Sequence, residues 1–352
     1  MFMERGKDEV DISIVVCCYN GNSTINSCLE SLLNQKRSNI YIEIVLVDDG
    51  SIDGTAIKIK TFLEEKSELE KIEFNYFRKE NQGLSIARNF GLEKSKSKIV
   101  AYVDEDAIVD ENFSNSIIEV FNKYEDINCI GGEVLLLNST NSFAKLIQNS
   151  IFSLHMKSNN AVIGTNMAFR KKTIKNVGGF QPEFTYRGDE SALFVKGKNI
   201  INIFKSKNTI VSHPQPSSLK DWLKTRYENG FFGAAIDDLA GKTNYLKNKR
   251  LLIGFLHLFW PVLVLVFLIF FKIGLITIFA TIIYMYLIIK RFFYSNSIPN
   301  YLREYNLNTS KSMLSQYLLI ILICILGSLF EDYGYLKGYL KYKNTDWHSS
   351  IY

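Results

Sequence analysis

Residues that could do chemistry are grouped in four short motifs of the 352-residue chain. The motifs are VDDGS at 47–51, NQGLSIARNFG at 81–91, VDEDA at 103–107 and GDE at 188–190. A carboxylate beside a sharp Gly-Ser turn can accept hydrogen bonds from a base or a ribose. Two carboxylates spaced one residue apart can hold a hard divalent cation that also binds phosphate oxygens. In this order the motifs predict a nucleotide pocket followed by a metal site, with a further carboxylate for proton transfer.

Each motif also has a simpler structural explanation. VDDGS can be an Asx turn that caps the next helix, and VDEDA can be a solvated acidic turn. NQGLSIARNFG can be an ordinary helix with Arg88 paired at the surface, and GDE can cap a helix N-terminus. However, Glu105, Asp110 and Glu111 add negative charge around VDEDA, which would be unfavourable without a cation. The local charge therefore favours metal binding.

The segments that position these motifs alternate between short apolar runs and longer amphipathic stretches. β-branched runs predict buried parallel strands at 12–16, 42–47, 74–77 and 99–103. Helical spacing covers 22–37, 54–68 and 84–95, and further strands are expected at 129–137, 161–170 and 209–213. Strand–helix repetition predicts a doubly wound α/β sheet. Ligands of such sheets bind at the carboxyl ends of the strands, where the motifs fall.

Composition narrows the class of protein. The net charge is +5, but Lys and Arg are scattered and no arginine-rich arm or zinc-finger spacing occurs, which argues against nucleic-acid binding. The N-terminal residues 1–11 lack an apolar run, so we expect no signal peptide there. The cysteines fit no zinc pattern and are predicted to be reduced, apolar core residues. They are Cys17, Cys18, Cys28, Cys129 and Cys324.

The C-terminal part of the chain is much more apolar. Three runs, at 251–271, 273–289 and 313–330, are predicted to be transmembrane helices. Lys and Arg around them place the preceding half on the cytosolic side of a cell membrane, as a multi-pass protein. The amphipathic stretch 218–240 is either a helix in the membrane surface or one that packs on a core. The predicted domains are 1–215, 216–250, 251–330 and a tail at 331–352.

The motifs CCYNG, VDDGS, ENQGLSIARNFG and VDEDA, in this order, resemble the family 2 glycosyltransferases over about residues 10–215. The resemblance implies a GT-A fold, which is Rossmann-like with a mostly parallel sheet. It also implies inverting transfer of a sugar from a nucleotide-sugar donor, assisted by Mn²⁺ or Mg²⁺. We therefore expect a membrane-anchored transferase that adds a sugar to a glycan or lipid-linked acceptor, with membrane lipid as a further partner.

The same resemblance implies roles for individual residues. Asp49 would contact the nucleotide base, Asp104 the ribose or the metal, and Asp106 would be the main metal ligand. Asn166, in GTNMAFR, would lie on the acceptor side. His213 either helps to bind the metal or diphosphate or is a structural histidine before a proline. Further donor-site candidates are Cys17, Tyr19, Asn20, Gly83 and Arg88.

The catalytic base is ambiguous in the sequence. Family members usually carry Glu-Asp at this position, whereas this chain has Asp189-Glu190 in the reverse order. Strict alignment assigns the base to Glu190. A shift of one residue assigns it to Asp189, which chemical type favours, and both are kept as candidates.

Three other classes of protein are weighed against this reading. A polymerising synthase is disfavoured because the Gln-x-x-Arg-Trp motif of processive members is reduced here to Arg226-Tyr227. A Rossmann oxidoreductase is disfavoured because the first strand lacks the G-x-G-x-x-G turn. A catalytically weak membrane scaffold or accessory subunit remains the alternative, and the reversed Asp189-Glu190 order is its best support.

Overall fold

The computed structural model describes residues 10–36, 40–66, 71–138, 140–148, 162–242, 251–252, 310–343, 345 and 347. These residues fall into two compact units. The first contains the described residues up to 138, those from 162 to Gln215, and Trp347. The second contains 140–148 and the described residues from Pro216 to 345. The units divide between Gln215 and Pro216, while the four predicted domain boundaries stay predictions.

The first unit is built on an eight-stranded sheet with the order β3-β2-β1-β4-β7-β6-β8-β5. Neighbours among the first four strands are parallel, whereas β7 is antiparallel to β4 and β6. β6 and β8 pair in parallel, and β5 pairs antiparallel with β8. The strands are β1 (Ile12–Cys18), β2 (Ile42–Asp48), β3 (Ile72–Arg78), β4 (Ile99–Asp104), β5 (Ile108–Val109), β6 (Cys129–Leu136), β7 (Met167–Arg170) and β8 (Ile203–His213).

Helices follow the strands as the alternating pattern predicts. The first unit contains α1 (Ile25–Leu33), α2 (Thr55–Glu65), α3 (Leu84–Lys94), α4 (Phe113–Lys123), α6 (Lys171–Val177) and α7 (Asp189–Lys196). The second unit contains α5 (Ser142–Ile147), α8 (Leu219–Leu239) and α9 (Ser310–Tyr342). The predicted α/β fold is confirmed.

Both faces of the central strands are buried, which explains their largely apolar sequences. Every residue of β1 and β2 is buried. Alternate residues of β1 enter different core clusters: Ile14 and Val16 lie in one, and Val15 and Cys17 in the other. Cys17, Cys18, Cys28 and Cys129 are buried and free, as predicted.

Strand register brings the ends of the central strands to one edge of the sheet. Cys17 is paired with Asp104 across β1 and β4, and Cys18 is paired with Asp48 across β1 and β2. The motifs that follow these strands therefore meet at that edge, as expected for a doubly wound sheet.

Close packing of α8 against α9 characterises the second unit. A Cβ atom on Gly230 would collide with the carbonyl oxygen of Glu331, and one on Gly334 would collide with that of Tyr227. Glycine thus allows the two backbones to touch. The stretch 218–240, predicted to be amphipathic, forms the helix α8, and the buried side chains of α8 include Trp222. Its placement in a membrane surface stays a prediction.

The predicted transmembrane segments are not confirmed. Apart from residues 251–252, the first two segments lie outside the described residues. The third, 313–330, lies within α9, which continues to Tyr342 past the charged residues Glu331 and Asp332. In the described part of the chain, no helix is long and apolar enough to cross a membrane.

Candidate functional site

The residues after β4 and at the end of β8 form a candidate metal site. Asp104 ends β4, Asp106 lies in the turn that follows, and His213 ends β8. One ligand atom from each of the three lies within 4.8 Å of the others. Nε2 of His213 is 3.2 Å from Oδ1 of Asp106 and 3.9 Å from Oδ2 of Asp104. The structure thus brings together the three predicted metal ligands.

Burial and neighbouring charges shift the pKa values of the groups at this cluster in different directions. Burial, followed by the carboxylates of Asp106 and Asp104, raises the pKa of Glu105 to about 8. Burial opposes the ionisation of Asp106, but the hydrogen bond with His213 holds the pKa of Asp106 below its usual value. Burial also lowers the pKa of His213, yet that bond, with the nearby carboxylates, raises it overall. Two carboxylates and an imidazole, all partly exposed, are a donor set that fits Mn²⁺ or Mg²⁺.

A buried arginine connects the metal cluster to the predicted catalytic pair. Nη2 of Arg88 donates to Oδ1 of Asp104 at 3.0 Å and to the carbonyl oxygen of Gly164 at 3.3 Å. Nη1 of Arg88 donates to Oδ2 of Asp189. Burial lowers the pKa of Arg88, but the carboxylates of Asp189 and Asp104 outweigh it, so the pKa is raised and the guanidinium stays charged. The role of Arg88 in binding the donor, for which the sequence makes it a candidate, stays a prediction.

The two candidate bases occupy different environments at the start of α7. Asp189 is 1% exposed and paired with Arg88, whereas Glu190 is partly exposed. Burial, followed by the neighbouring Asp189 carboxylate, raises the pKa of Glu190 above its usual range. Glu190 is therefore the more accessible carboxylate and has a raised pKa, whereas Asp189 is committed to an ion pair.

Asp49 is committed to the loop before α3. Its carboxylate accepts from the backbone N–H of Gly83 at 2.7 Å, from that of Gln82 at 3.1 Å and from Nζ of Lys79 at 2.5 Å. A carboxylate has about four acceptor positions, so little capacity is left for a base. Asp49 thus holds the NQG turn in place, and its predicted contact with a nucleobase stays a prediction.

The other donor-site candidates surround the end of β1. Asn20 has a left-handed backbone (φ 58°), and its side chain accepts from the N–H of Ile52 at 2.9 Å. Its own N–H donates to Oγ of Ser51 at 3.0 Å, so this pair of bonds joins the first two loops of the edge. Tyr19 is exposed beside them, but Cys17 is buried, and burial raises the pKa of its thiol.

Asn166 lies inside the sheet rather than on a free surface. It is buried, and its side-chain amide donates to the carbonyl oxygens of Glu133 at 2.8 Å and Thr209 at 3.0 Å. This amide therefore links β6 to β8, and the predicted acceptor-side role stays a prediction.

Sequence reasoning missed two residues that shape the site. Lys79 pairs with Asp49. In the sequence, only its basic side chain and its position shortly before the NQG motif could have indicated this role. Gly164 accepts from Arg88, and a Cβ atom there would lie 3.0 Å from Nη2 of Arg88. A glycine three residues before a strand does not by itself indicate a contact with a distant arginine.

Comparison with known proteins settles the family. The chain matches the family described as Glycosyl transferase family 2 over residues 13–178, and Glycosyl transferase family group 2 over residues 99–302, which is more than half of the chain. The chain belongs to glycosyltransferase family 2. This assignment agrees with the resemblance carried by the motifs CCYNG, VDDGS, ENQGLSIARNFG and VDEDA.

Individual relatives are distant. Glycosyltransferase GlyA of Streptococcus pneumoniae is 32% identical over 120 residues, which cover 34% of this chain and 16% of that protein. Poly-beta-1,6-N-acetyl-D-glucosamine synthase of Staphylococcus epidermidis is 28% identical over 177 residues, which cover 47% of this chain and 41% of that protein. The match thus spans less than two thirds of either relative.

One solved structure supports the GT-A type of fold. It is the mannosyltransferase PcManGT from Pyrobaculum calidifontis in complex with GDP-Man and Mn²⁺. The TM-score is 0.53 at 15% identity, and the alignment covers 96% of this chain and 88% of the mannosyltransferase. At this identity the likeness concerns the fold alone.

Proposed function

We propose that this protein is an inverting glycosyltransferase that moves a sugar from a nucleotide-sugar donor to an acceptor hydroxyl. The observation that carries the proposal is the position of Arg88, which bonds Asp104 of the metal cluster and Asp189 of the catalytic pair. Through this buried guanidinium, the donor end and the proton-accepting end of the site are held at a fixed separation.

The chain's own residues divide the work of transfer. Asp104, Asp106 and His213 would hold Mn²⁺ or Mg²⁺, which when bound neutralises charge on the leaving diphosphate. The acceptor oxygen forms a bond to the anomeric carbon on the side opposite the diphosphate, which inverts the configuration. The bond from that carbon to the phosphate oxygen breaks, and its electron pair leaves with the nucleoside diphosphate. The acceptor's proton passes to a carboxylate as the new bond forms.

We assign the proton-accepting role to Glu190 and not to Asp189, which chemical type had favoured. Glu190 is partly exposed and has a raised pKa, so its ionised form is a stronger base than an ordinary glutamate. Asp189 is buried, and its charge is compensated by Arg88. In this assignment the base occupies the position that strict alignment gives it, with a glutamate where family members usually carry an aspartate.

The acceptor and the location are further parts of the proposal. The apolar segments 251–271, 273–289 and 313–330 support a tether that keeps the catalytic unit near a bilayer on the cytosolic side of the cell membrane. A lipid-linked or surface-glycan acceptor suits an enzyme in that position. Membrane fractionation and protease protection of intact cells test this part independently of activity.

A donor panel tests the reaction. Full-length protein in detergent with Mn²⁺ is incubated with UDP-, GDP-, dTDP-, CMP- and ADP-linked sugars, and release of the nucleotide is measured by chromatography. We expect release from at least one donor in wild type and its loss in Asp106→Ala. The anomeric configuration of the product, read by NMR, tests inversion. No release by wild type, or equal release by Asp106→Ala, contradicts the proposal.

The scaffold alternative rests on the reversed Asp189-Glu190 pair and makes a different prediction. Calorimetry with nucleoside diphosphates and Mn²⁺ separates the two functions. Metal-dependent nucleotide binding with no turnover of any donor would favour the scaffold, whereas binding with turnover supports the transferase.

A further inference from the structure

Trp347 packs against the loop that carries the catalytic pair, although it lies far from that loop in sequence. The loop connects α6 to α7, and we call residues 178–188 the α6–α7 loop. The indole ring of Trp347 is stacked on the ring of Phe184, with 5.9 Å between centroids and an angle of 28° between planes. Both side chains are buried, and both residues belong to the first unit.

The same loop is fastened to α3 by hydrogen bonds. Oγ of Ser85 donates to the carbonyl oxygen of Phe184 at 2.8 Å, and the N–H of Leu84 donates to that of Thr185 at 2.7 Å. The side chain of Asn89 bonds both the N–H and the carbonyl oxygen of Phe180, at 2.9 and 2.8 Å. These bonds fix the backbone of the loop but leave the side chain of Phe184 to be held by packing.

The Phe184–Trp347 stack contributes to that packing, and its effect should reach the catalytic pair. Phe184 lies five residues before Asp189, within the same loop that leads into α7. Gly188 has a left-handed backbone (φ 84°) immediately before α7 begins. A loop held on both sides starts α7 at one position, whereas a loop released on the Phe184 side can shift the carboxylates.

We propose that Trp347 is a positioning residue of the transferase, acting through Phe184 to place Glu190 against the acceptor. This inference rests on the proposed function. Misplacement of a reacting group by about 1 Å can lower the rate about 100-fold, so a partial shift of the loop should have a measurable effect. The ring contact of Trp347 is with Phe184, which is not one of the candidate metal ligands, so we expect donor binding to be independent of Trp347.

Full-length Trp347→Ala and Trp347→Phe test the proposal. The readouts are donor hydrolysis, with water as acceptor, and calorimetric affinity for the matching nucleoside diphosphate with Mn²⁺. We expect Trp347→Ala to lower kcat about tenfold, with the donor KM and the nucleotide Kd unchanged. Trp347→Phe should restore most of the rate, because a phenyl ring can also stack on Phe184.

A matched control and a second readout keep the outcomes distinct. Trp222→Ala removes a tryptophan that is also buried but lies in the second unit, so it should lower Tm and leave kcat unchanged. Tryptic cleavage after Arg187, followed by mass spectrometry, reports loosening of the α6–α7 loop without any donor. We expect faster cleavage in Trp347→Ala than in wild type or Trp222→Ala.

Two results would overturn the inference. One is a Trp347→Ala variant with wild-type kcat and wild-type cleavage after Arg187. The other is a loss of both kcat and nucleotide affinity in Trp347→Ala that only parallels its loss of Tm, as general destabilisation would cause. If wild type consumes no donor, the proposed function fails while the cleavage assay still decides whether Trp347 positions the loop.

Discussion

Arg88 and Asp189 form an ion pair that is almost completely removed from solvent, with the two side chains 3% and 1% exposed. The desolvation cost of such a pair is high, so removing one partner leaves an uncompensated buried charge. Glu190, the next residue, makes no comparable pair with Arg88 and is partly exposed. We therefore expect substitution of Asp189 to act mainly on stability and substitution of Glu190 to act mainly on turnover.

Asp189→Ala should act mainly on stability. Loss of one partner of a buried ion pair typically costs about 3–5 kcal/mol, so we expect a large decrease in Tm. Glu190→Gln should leave Tm close to wild type and lower kcat about 10²–10⁴-fold, the usual contribution of a general base. Thermal shift and donor turnover measure the two effects. A stable but inactive Asp189→Asn beside an active Glu190→Gln would reverse the assignment.

The pH dependence of turnover should reflect the raised pKa of Glu190. A base accepts a proton only when it is ionised, and an ordinary glutamate is already fully ionised near neutral pH. Because burial and the Asp189 carboxylate raise the pKa of Glu190, its ionised fraction should still increase there. We expect kcat/KM for the donor to rise between about pH 6 and about pH 9.

The control for this profile is Glu190→Gln, because protonation of His213 also lowers activity in acid. The residual rate of the variant should rise only where His213 loses its proton. A wild-type profile that has the same shape as that of Glu190→Gln would argue against Glu190 as the base.

The order of the motifs along strand ends was predictable, but their contacts were not. Continuous β-branched runs define β1, β2 and β4, and sheet geometry then places Asp48, Asp104 and their neighbours at one edge. Arg88 and Asp189 are 101 residues apart, and their contact depends on how α3 packs beside the α6–α7 loop. Periodicity carries no information about such packing.

The difference between predictable strand ends and unpredictable side-chain contacts also explains why the structure brings some predicted site residues together and gives others backbone partners. His213 joins the metal cluster because β8 ends at the same edge as β4, which a strand prediction at 209–213 makes plausible. Asn166 and Asp49 are polar residues in the expected motifs, yet their side chains bond the backbone of neighbouring segments. Sequence type alone cannot separate a polar group that binds a ligand from one that satisfies buried backbone.

Removal of one metal ligand should weaken cation binding without unfolding the protein. His213→Ala and Asp106→Asn are the cleanest variants, because Asp104 also bonds Arg88. Changes to the partners of metal ligands typically lower affinity about 10–100-fold, and loss of a ligand itself should cost at least as much. Calorimetry with Mn²⁺ measures the affinity, and chelation of wild type should abolish turnover reversibly. Unchanged Mn²⁺ affinity in both variants would exclude this cluster as the metal site.

Gly83 is expected to tolerate no side chain, because it has both a positive φ (94°) and a close neighbour. A Cβ atom would lie 2.7 Å from the Cβ atom of Thr185 and 2.8 Å from its carbonyl oxygen, on the loop that leads to the catalytic pair. Gly241 is the matched control, since its φ is also positive (61°) but none of the described residues has an atom within 4 Å of a Cβ atom there.

Gly241→Ala should lower the free energy of unfolding by only about 1–2 kcal/mol, the cost of a left-handed backbone for a residue with a Cβ atom, and leave kcat unchanged. Gly83→Ala should lower the free energy of unfolding by more than this, because the Thr185 backbone must also move. It should lower kcat for donor hydrolysis as well, since that movement displaces the start of α7. Thermal shift and donor turnover of both variants measure the difference. Equal losses of stability and equal kcat values would mean that the approach of Gly83 to Thr185 plays no part in placing the catalytic carboxylates.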